Sequence, residues 1–368
     1  MHLNKLRLFN FKNYEEAHLE LRGDIQCFFG RNGSGKTNLL DAVHYLSFTK
    51  SAIDPADARN ARNGASQFFI SGEFEIAGVL HEITCGFQSP RKTMSEDGQV
   101  YAKFSKHIGK YPAVLIAPND IALIWDGSEL RRRFFDNLLS QLDVRYLEDL
   151  IVYTQVLRQR NGLMKLFAES GQSDPDLLAA YDAKLVPSGQ LIFEKRKELM
   201  RSFLPLFVRH YNFLAGDGGE KVELIYRSEL AEADFGTELQ RNLSRDILLQ
   251  RTGIGIHRDD FLFLLDGGEL KRLGSQGQQK SFLIALKLTE FELIARAKGI
   301  KPLLLLDDVF DKLDDERIHK LMLLVAGGTF GQLLITDARA GRSREILRET
   351  GISATLYEVD NGRVTAVE

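Results

Sequence analysis

Three short stretches carry residue types suited to handling a triphosphate. Gly30–Thr37 reads GRNGSGKT and matches G-x-x-x-x-G-K-[ST] at every position. Glycines in such a run let successive backbone N–H groups turn onto phosphate oxygens. Gly30, Arg31, Asn32, Gly33, Ser34 and Gly35 are therefore candidate ATP-binding residues. Lys36 would reach the β- and γ-phosphates, and Thr37 would set its hydroxyl on Mg²⁺. The second stretch, Leu303–Asp308, is an apolar run ending in two carboxylates. Asp307 would hold the metal through water. Asp308 would orient the water that attacks the γ-phosphate. Lys36 and Asp308 are thus the catalytic candidates. The third stretch, Ser275–Gln279 (SQGQQ), opens a long apolar-periodic run. There Ser275, Gly277 and Gln278 at a helix start make a second anion-binding surface. One chain already has such a surface in its glycine loop. A second suggests a phosphate clamped between two copies, each SQGQQ meeting the other's γ-phosphate across a two-fold axis. Asp311–Asp314 (DKLD) would lie at the same interface.

Those residues need elements to carry them. Ile25–Phe29 (IQCFF) is an apolar run and reads as a strand, and Asn38–Phe48 is apolar at helical period. Strand, glycine loop, helix is the context a phosphate-binding loop demands, and a chance glycine turn has no reason to sit in it. Leu303–Leu306 is a fully apolar strand that delivers Asp307 and Asp308 to its C-terminal edge, where a parallel sheet binds ligands. Leu333–Ile335 repeats the pattern and ends in Thr336-Asp337. Leu3–Phe11 and Ala17–Leu21 alternate as strands, Phe68–Ile76 and Val79–Phe87 form a hairpin, and Pro112–Ala117 is a short buried strand. Ala354–Val367 is a hairpin about Asn361-Gly362. Lys50–Gly64 and Ser89–Lys110 read as polar loops, the latter carrying Arg91, Lys92, Lys103, Lys106 and Lys110 as a solvated or backbone-contacting surface. From Ser128 to about Asn212 the period is helical, with breaks expected at Gly171–Pro175 and Pro187–Gly189. Those breaks forbid a long coiled coil. Strand-like Val222–Arg227, helix-like Phe235–Arg251, the strand Phe261–Leu265 and the amphipathic helix Gln276–Lys298 follow. The fold class is α/β, divided at 1–118, 119–215 and 216–368, the middle part a mostly helical insertion.

With 368 residues and a net charge of −3, the chain is not a polycation. Nucleic-acid binding would need a local basic surface. The helical part supplies three basic clusters: Arg131–Arg133, Arg158 with Arg160, and Lys195–Lys197 with Arg201. Cys27 and Cys85 are far apart, with no disulfide or metal spacing, which fits a reducing cytoplasm. No apolar run approaches the roughly 18 residues of a membrane span.

The order of these motifs resembles the ATP-binding-cassette class, in its chromosome-maintenance branch. Finer stretches resemble one family, the bacterial RecF recombination mediators: LFNFKNY at Leu8–Tyr14, APND at Ala117–Asp120, GSELRRRFFD at Gly127–Asp136, YTQVLRQRN at Tyr153–Asn161, GIHRDD at Gly255–Asp260, SQGQQK at Ser275–Lys280 and LLLDDVFDKLD at Leu304–Asp314. The resemblance spans essentially the whole chain. It implies a P-loop ATPase lobe of ABC/SMC-head type with a mixed sheet and an inserted helical lobe, without a long coiled coil. It implies ATP and Mg²⁺ as cofactors, an ATP-dependent homodimer, DNA binding without sequence preference, and weak DNA-stimulated ATP hydrolysis. RecO, RecR and RecA are the implied partners, at single-strand gaps in DNA repair, replication restart, recombination and the SOS response. Pro118–Asp120 would occupy the glutamine-loop position of the class.

Two departures from the class stand out. Cassette ATPases usually carry Glu where this chain has Asp308, one methylene shorter, so the water is less firmly held. Their switch histidine is replaced by Thr336-Asp337. Both favour a slow switch over a motor. Ser128 stands where RecF proteins usually have proline. His257 in GIHRDD has no His or Cys near it in sequence, which favours a role in holding its loop. Two other functions compete: a nucleotide-binding subunit of a membrane transporter, and a non-hydrolysing scaffold that uses ATP only to dimerise.

Overall fold

The computed structural model describes residues 1–171, 174–216, 219–309, 315–338, 345, 348–349, 351 and 353–367. Two compact units account for the chain. The first is Met1–Ile121, Arg209–Gly218 and Ser275–Glu368; the second is Ala122–Val208 and Gly219–Gly274.

In the first unit, four apolar runs line up as parallel neighbours: Ala113–Ile116, Leu303–Leu306, Leu333–Asp337 and Ile25–Phe29. Thr355–Asp360 adds to Ile25–Phe29 in parallel, and Arg363–Ala366 closes the sheet antiparallel after the Asn361-Gly362 turn. All four residues of Leu303–Leu306 are fully buried. A strand covered on both faces tolerates no alternation, which is why it reads LLLL. A second, antiparallel sheet has the order Tyr14–Glu20, His2–Phe11, Gln67–Ile76, Val79–Gln88, Arg91–Glu96, Gln99–Val100. Its inward side chains, among them Leu6, Leu8, Phe68, Ile70 and Phe74, share one core with Leu303, Leu305 and Leu334 of the parallel sheet. The helix Lys36–Phe48 belongs to that core around most of its circumference, with Leu39, Leu40, Val43, Tyr45 and Leu46 buried. A helix apolar on nearly all sides is one buried on nearly all sides, and it starts directly at the loop.

Ser89–Lys110 is not the loop expected from its polarity. It holds Arg91–Glu96 and Gln99–Val100, the last strands of the antiparallel sheet. Two of its lysines are used internally. Lys92 pairs with Asp57 at 2.8 Å and lies over the Tyr45 and Phe104 rings. Lys110 pairs with Glu96 at 2.5 Å.

The second unit packs helices against a three-stranded antiparallel sheet, Gly268–Glu269, Asp260–Leu265 and Val222–Arg227. This corrects the division at 215/216, because residues 219–274 belong with the helices. The cause is an aromatic stack. Phe261 lies 4.0 Å from Phe135 and 4.9 Å from Tyr226, ring to ring, and Phe135 meets Phe203 at 5.3 Å. Nor does the chain break at Pro187–Gly189, because one helix runs from Pro175 to Ala215 with Pro187 and Pro205 inside it. The Ser188 hydroxyl donates to the Lys184 carbonyl at 3.0 Å, bonding the backbone beside the proline. Gly189 is required by packing: a Cβ there would fall 2.5 Å from the Phe235 ring. Among the described residues no helix is long and apolar enough to cross a membrane.

Candidate nucleotide site

The glycine loop joins the strand Ile25–Phe29 to the helix Lys36–Phe48. Lys36 is buried, and its Nζ donates to the carbonyls of Gly30 at 2.9 Å and Arg31 at 3.2 Å. Two other loop carbonyls are engaged from outside. Ser34 O accepts from Asn13 Nδ2 at 2.9 Å and from the Gly362 amide at 3.0 Å. Gly35 O accepts from the Tyr14 hydroxyl at 3.0 Å. Burial pushes the Tyr14 phenol well above its ordinary pKa, so it stays a donor. Covering these carbonyls reduces the negative potential that would otherwise oppose a phosphate. Gly35 has φ +118°, and a Cβ there would strike Asn13 and Tyr14.

Asp307 leaves the end of the buried strand and meets Thr37. Thr37 Oγ1 donates to Asp307 Oδ1 at 2.8 Å, and Thr336 Oγ1 donates to the same oxygen at 2.8 Å. The Asp308 amide donates to Thr336 Oγ1 at 2.9 Å. Thr336 therefore joins both aspartates. Asp308 is held at φ +45°, an unfavourable backbone for a residue with a Cβ. The Gly30 amide donates to Asp337 O at 3.3 Å, so the neighbouring strand reaches the loop as well.

Do these residues fit ATP and Mg²⁺? Ser34 Oγ is buried in the loop with no hydrogen-bond partner among the described residues, which suits a phosphate oxygen. Gly33 has φ +82° and nothing within 4 Å of where its Cβ would be, so backbone faces open space there. One carboxylate and one hydroxyl in contact are the protein ligands Mg²⁺ commonly takes, phosphates and waters supplying the rest. The donor set fits both groups.

Of the residues expected from sequence, the structure brings Lys36, Thr37, Asp307 and Asp308 together with the loop Gly30–Gly35. Ser275, Gly277 and Gln278 bond elsewhere. Ser275 is exposed and caps the helix Gln276–Lys298. Its Oγ accepts from the Gln278 amide at 3.2 Å, and Gln278 Oε1 accepts from the Ser275 amide at 2.6 Å. Gly277 lies under Arg317, whose guanidinium would sit 3.1 Å from a Cβ placed there. Asp311–Asp314 lies outside the described residues. Within Pro118–Asp120, Asp120 accepts from the Ala117 amide at 2.8 Å and faces Lys287 at 3.4 Å. Burial pushes the neighbouring Glu290 up to about 7.

Asn13, Tyr14, Thr336 and Gly362 were not singled out as site residues. The stretch LFNFKNY contained the first two, but nothing local to it points at a loop 20 residues on. Gly362 has φ +79°, and a Cβ would approach the Asn13 carbonyl to 2.8 Å. Gly362→Val should push the hairpin turn off Asn13 and Ser34 and weaken ATP binding about tenfold, roughly 1.4 kcal/mol. Titration with a fluorescent ATP analogue measures this. Affinity within about twofold of wild type would detach the hairpin from the site.

The basic clusters are thinner than their sequence density suggests. Arg160 is fully buried between Asp182 at 2.7 Å and Asp246 at 2.9 Å. Arg196 is equally buried on Asp136 and Asp259, both at 2.9 Å. Arg131 pairs with Asp260, and Arg132 donates to the Asp259 carbonyl and to Ser128 Oγ. Arg133, Arg158, Lys197 and Arg201 remain exposed. His257 holds its loop: Nδ1 faces the Tyr153 hydroxyl at 2.8 Å and Nε2 the Thr252 carbonyl at 3.0 Å. Burial lowers its pKa to about 4, so the ring is neutral and Nε2 is the donor.

Comparison with known proteins follows the same line. The family model described as RecF/RecN/SMC N terminal domain matches residues 2–359. A DNA replication and repair protein RecF from Flavobacterium johnsoniae is 46% identical over 360 residues, covering 98% of this chain and 100% of that one. One from Cytophaga hutchinsonii is 42% identical over 364 residues, covering 99% of this chain and 96% of its own. A solved structure of the recombination mediator protein RecF with ATP, of the RecFOR pathway, superposes with a TM-score of 0.89 at 27% identity. That match covers 100% of this chain and 98% of the other.

Proposed function

The chain belongs to the RecF family of DNA replication and repair proteins, and on that premise we propose that it is an ATP-gated DNA clamp. ATP with Mg²⁺ fills the glycine loop of one copy. The SQGQQ helix start of a second copy completes the site, and the pair closes on the DNA backbone. Slow hydrolysis, stimulated by DNA, opens it. In the cytoplasm the clamp would act with RecO and RecR to load RecA at single-strand gaps. The solved relative belongs to the RecFOR pathway, which supports that assignment.

One observation carries the reading: Thr37 and Thr336 converge on a single oxygen of Asp307 at the end of a buried parallel strand, beside the lysine of a complete P-loop. When bound, Mg²⁺ would neutralise charge building on the transferred phosphoryl group. Lys36 would exchange its two carbonyl partners for β- and γ-phosphate oxygens. Thr37 and Asp307 would hold the metal side. Asp308, fixed through its amide to Thr336, would orient water. Ser275 and Gln278 cap the start of the helix Gln276–Lys298, whose positive dipole end would attract an approaching γ-phosphate.

The deciding experiment is sedimentation mass with and without ATP and Mg²⁺, repeated with duplex and gapped DNA. A doubling that needs nucleotide supports the clamp, whereas mass independent of nucleotide removes it. Contacts to phosphates make a second expectation quantitative. With about four exposed cations engaged, affinity for duplex DNA should fall roughly 10²-fold between 50 and 200 mM salt. Affinity insensitive to salt would count against backbone contact.

A further inference from the structure

On the first unit, away from the glycine loop residues, lies a cavity of about 610 Å³. Its floor is apolar: Leu288, Phe291, Ile300, Leu324 and Phe330, with Phe213 half-exposed at the side. Its charged lining is unbalanced. Arg209, Arg296 and Lys301 stand against one carboxylate, Glu292. Glu292 is already shared, accepting from Arg209, from His210 at 2.7 Å and from Arg296. Both arginine side chains are more than half exposed, at 56% and 60%. A guanidinium has five N–H donors, so each arginine has capacity left. A neighbouring cavity of about 450 Å³, reaching Met1, His2 and Asp24, shares Gly299, Ile300, Lys301 and Phe330 with the first.

We propose that this trough binds a short acidic segment of a protein partner, its apolar side chains lying in the cavity and its carboxylates meeting Arg209, Arg296 and Lys301. The size suits more than one anchored side chain, since pockets for whole ligands run about 300–1,000 Å³. The continuation into a second cavity suits an extended chain of several residues better than a compact small molecule. A cationic rim around an apolar floor selects carboxylates beside an aromatic or aliphatic anchor. Nucleic acid would match the rim but would leave the aliphatic floor of Leu288, Ile300 and Leu324 uncovered. The surface is separate from the residues assigned to ATP, so the inference stands whatever becomes of the clamp.

The test uses the full chain and three fluorescein-labelled pentapeptides, followed by anisotropy. They are Glu-Asp-Glu-Leu-Phe with a free carboxylate, Glu-Asp-Glu-Ser-Ser, and Lys-Arg-Lys-Leu-Phe amide. The first should bind at least tenfold tighter than either of the others. Arg296→Glu should weaken it at least tenfold, with ATP affinity and thermal midpoint unchanged. Phe213→Ser, a mild change at a half-exposed site, should weaken it severalfold and serves if the charge reversal fails to fold. Equal binding of the three peptides overturns the proposal, as does binding indifferent to both substitutions. A single-stranded oligonucleotide that displaces the acidic peptide, and itself loses tenfold in Arg296→Glu, would reassign the trough to nucleic acid. Self-association without nucleotide that vanishes in Arg296→Glu would reassign it to a second copy; either result overturns the proposal.

Discussion

Asp307→Asn is expected to lower single-turnover ATP hydrolysis by about 10³-fold, near 4 kcal/mol of barrier, while the protein stays folded. An amide replaces the hydrogen bonding of the carboxylate but not its charge. Two hydroxyls, from Thr37 and Thr336, donate to one Asp307 oxygen. The carbonyl oxygen of Asn accepts the same two bonds in the same volume, so the end of the strand loses little. What it lacks is the negative charge. Asp307 is the carboxylate in contact with Thr37, and a metal that keeps most of its waters depends on the one or two carboxylates it is given. Rapid-quench measurement at saturating Mg²⁺ checks the rate, and thermal unfolding checks the fold. A loss below about fivefold would place the metal elsewhere. Thr336→Val is the companion. It keeps the charge but removes the hydroxyl that orients Asp307 and receives the Asp308 amide. A supporting residue of this kind is worth about 10–100-fold.

The site was legible where its chemistry is contiguous. Gly30–Thr37 supplies its own backbone donors, lysine and hydroxyl within eight residues, and no fold is needed to see them. Asp307-Asp308 was legible because a short run such as LLLL suits a strand covered on both faces, and its exit places the carboxylates. The residues that hold the loop were not. Asn13 meets Ser34 across 21 residues, and Gly362 reaches the same carbonyl from the far end of the chain. Asn13 acts only once the turn between His2–Phe11 and Tyr14–Glu20 lies against the loop, and Gly362 only once the C-terminal hairpin lies beside Ile25–Phe29, pairings no local pattern specifies. Thr336 is a variant of the same case. Its position was anticipated as the place of a missing histidine, but its bonds to both aspartates needed the register of adjacent parallel strands.

The basic clusters misled for the opposite reason. Helical period placed Arg160 and Arg196 among surface cations, yet their carboxylate partners lie up to 86 residues away and bury them completely. Buried guanidinium groups with several bonded carboxylates hold a unit together and present nothing to DNA. Val222–Arg227 and Phe261–Leu265 were themselves legible as strands, whereas Gly268–Glu269 was not. Their assignment to the helical unit was not, because that depends on Phe261 stacking on Phe135. Pro187 shows the limit of breaker rules: a proline inside a well-packed helix loses one bond and stays, where neighbouring contacts of Leu185, Ile192 and Phe193 bury the element on either side.

Ser275→Arg is expected to abolish ATP-dependent dimerisation while leaving ATP binding to the single chain within about twofold. Ser275 is exposed, so an arginine meets no steric obstacle within one copy. Its role there is a capping box with Gln278, and losing the cap costs about 1 kcal/mol, a small fraction of the stability of a unit this size. Loss of the dimer would therefore report on the second copy and not on unfolding. Ser275→Ala separates the two effects. It forfeits the same cap but adds no bulk, so it should retain most of the association. Asp308→Asn should slow hydrolysis and accumulate the ATP-bound pair, since the carboxylate proposed to orient water would be gone while Thr37 and Asp307 remain. Combining it with Ser275→Arg should return the protein to a monomer, because a stalled nucleotide cannot bridge a helix start it cannot reach. Sedimentation of all four variants with ATP and Mg²⁺ reads every arm at once. A Ser275→Arg protein that still doubles its mass would leave the serine as nothing more than a helix cap, and the two-fold site would have to be sought on another face.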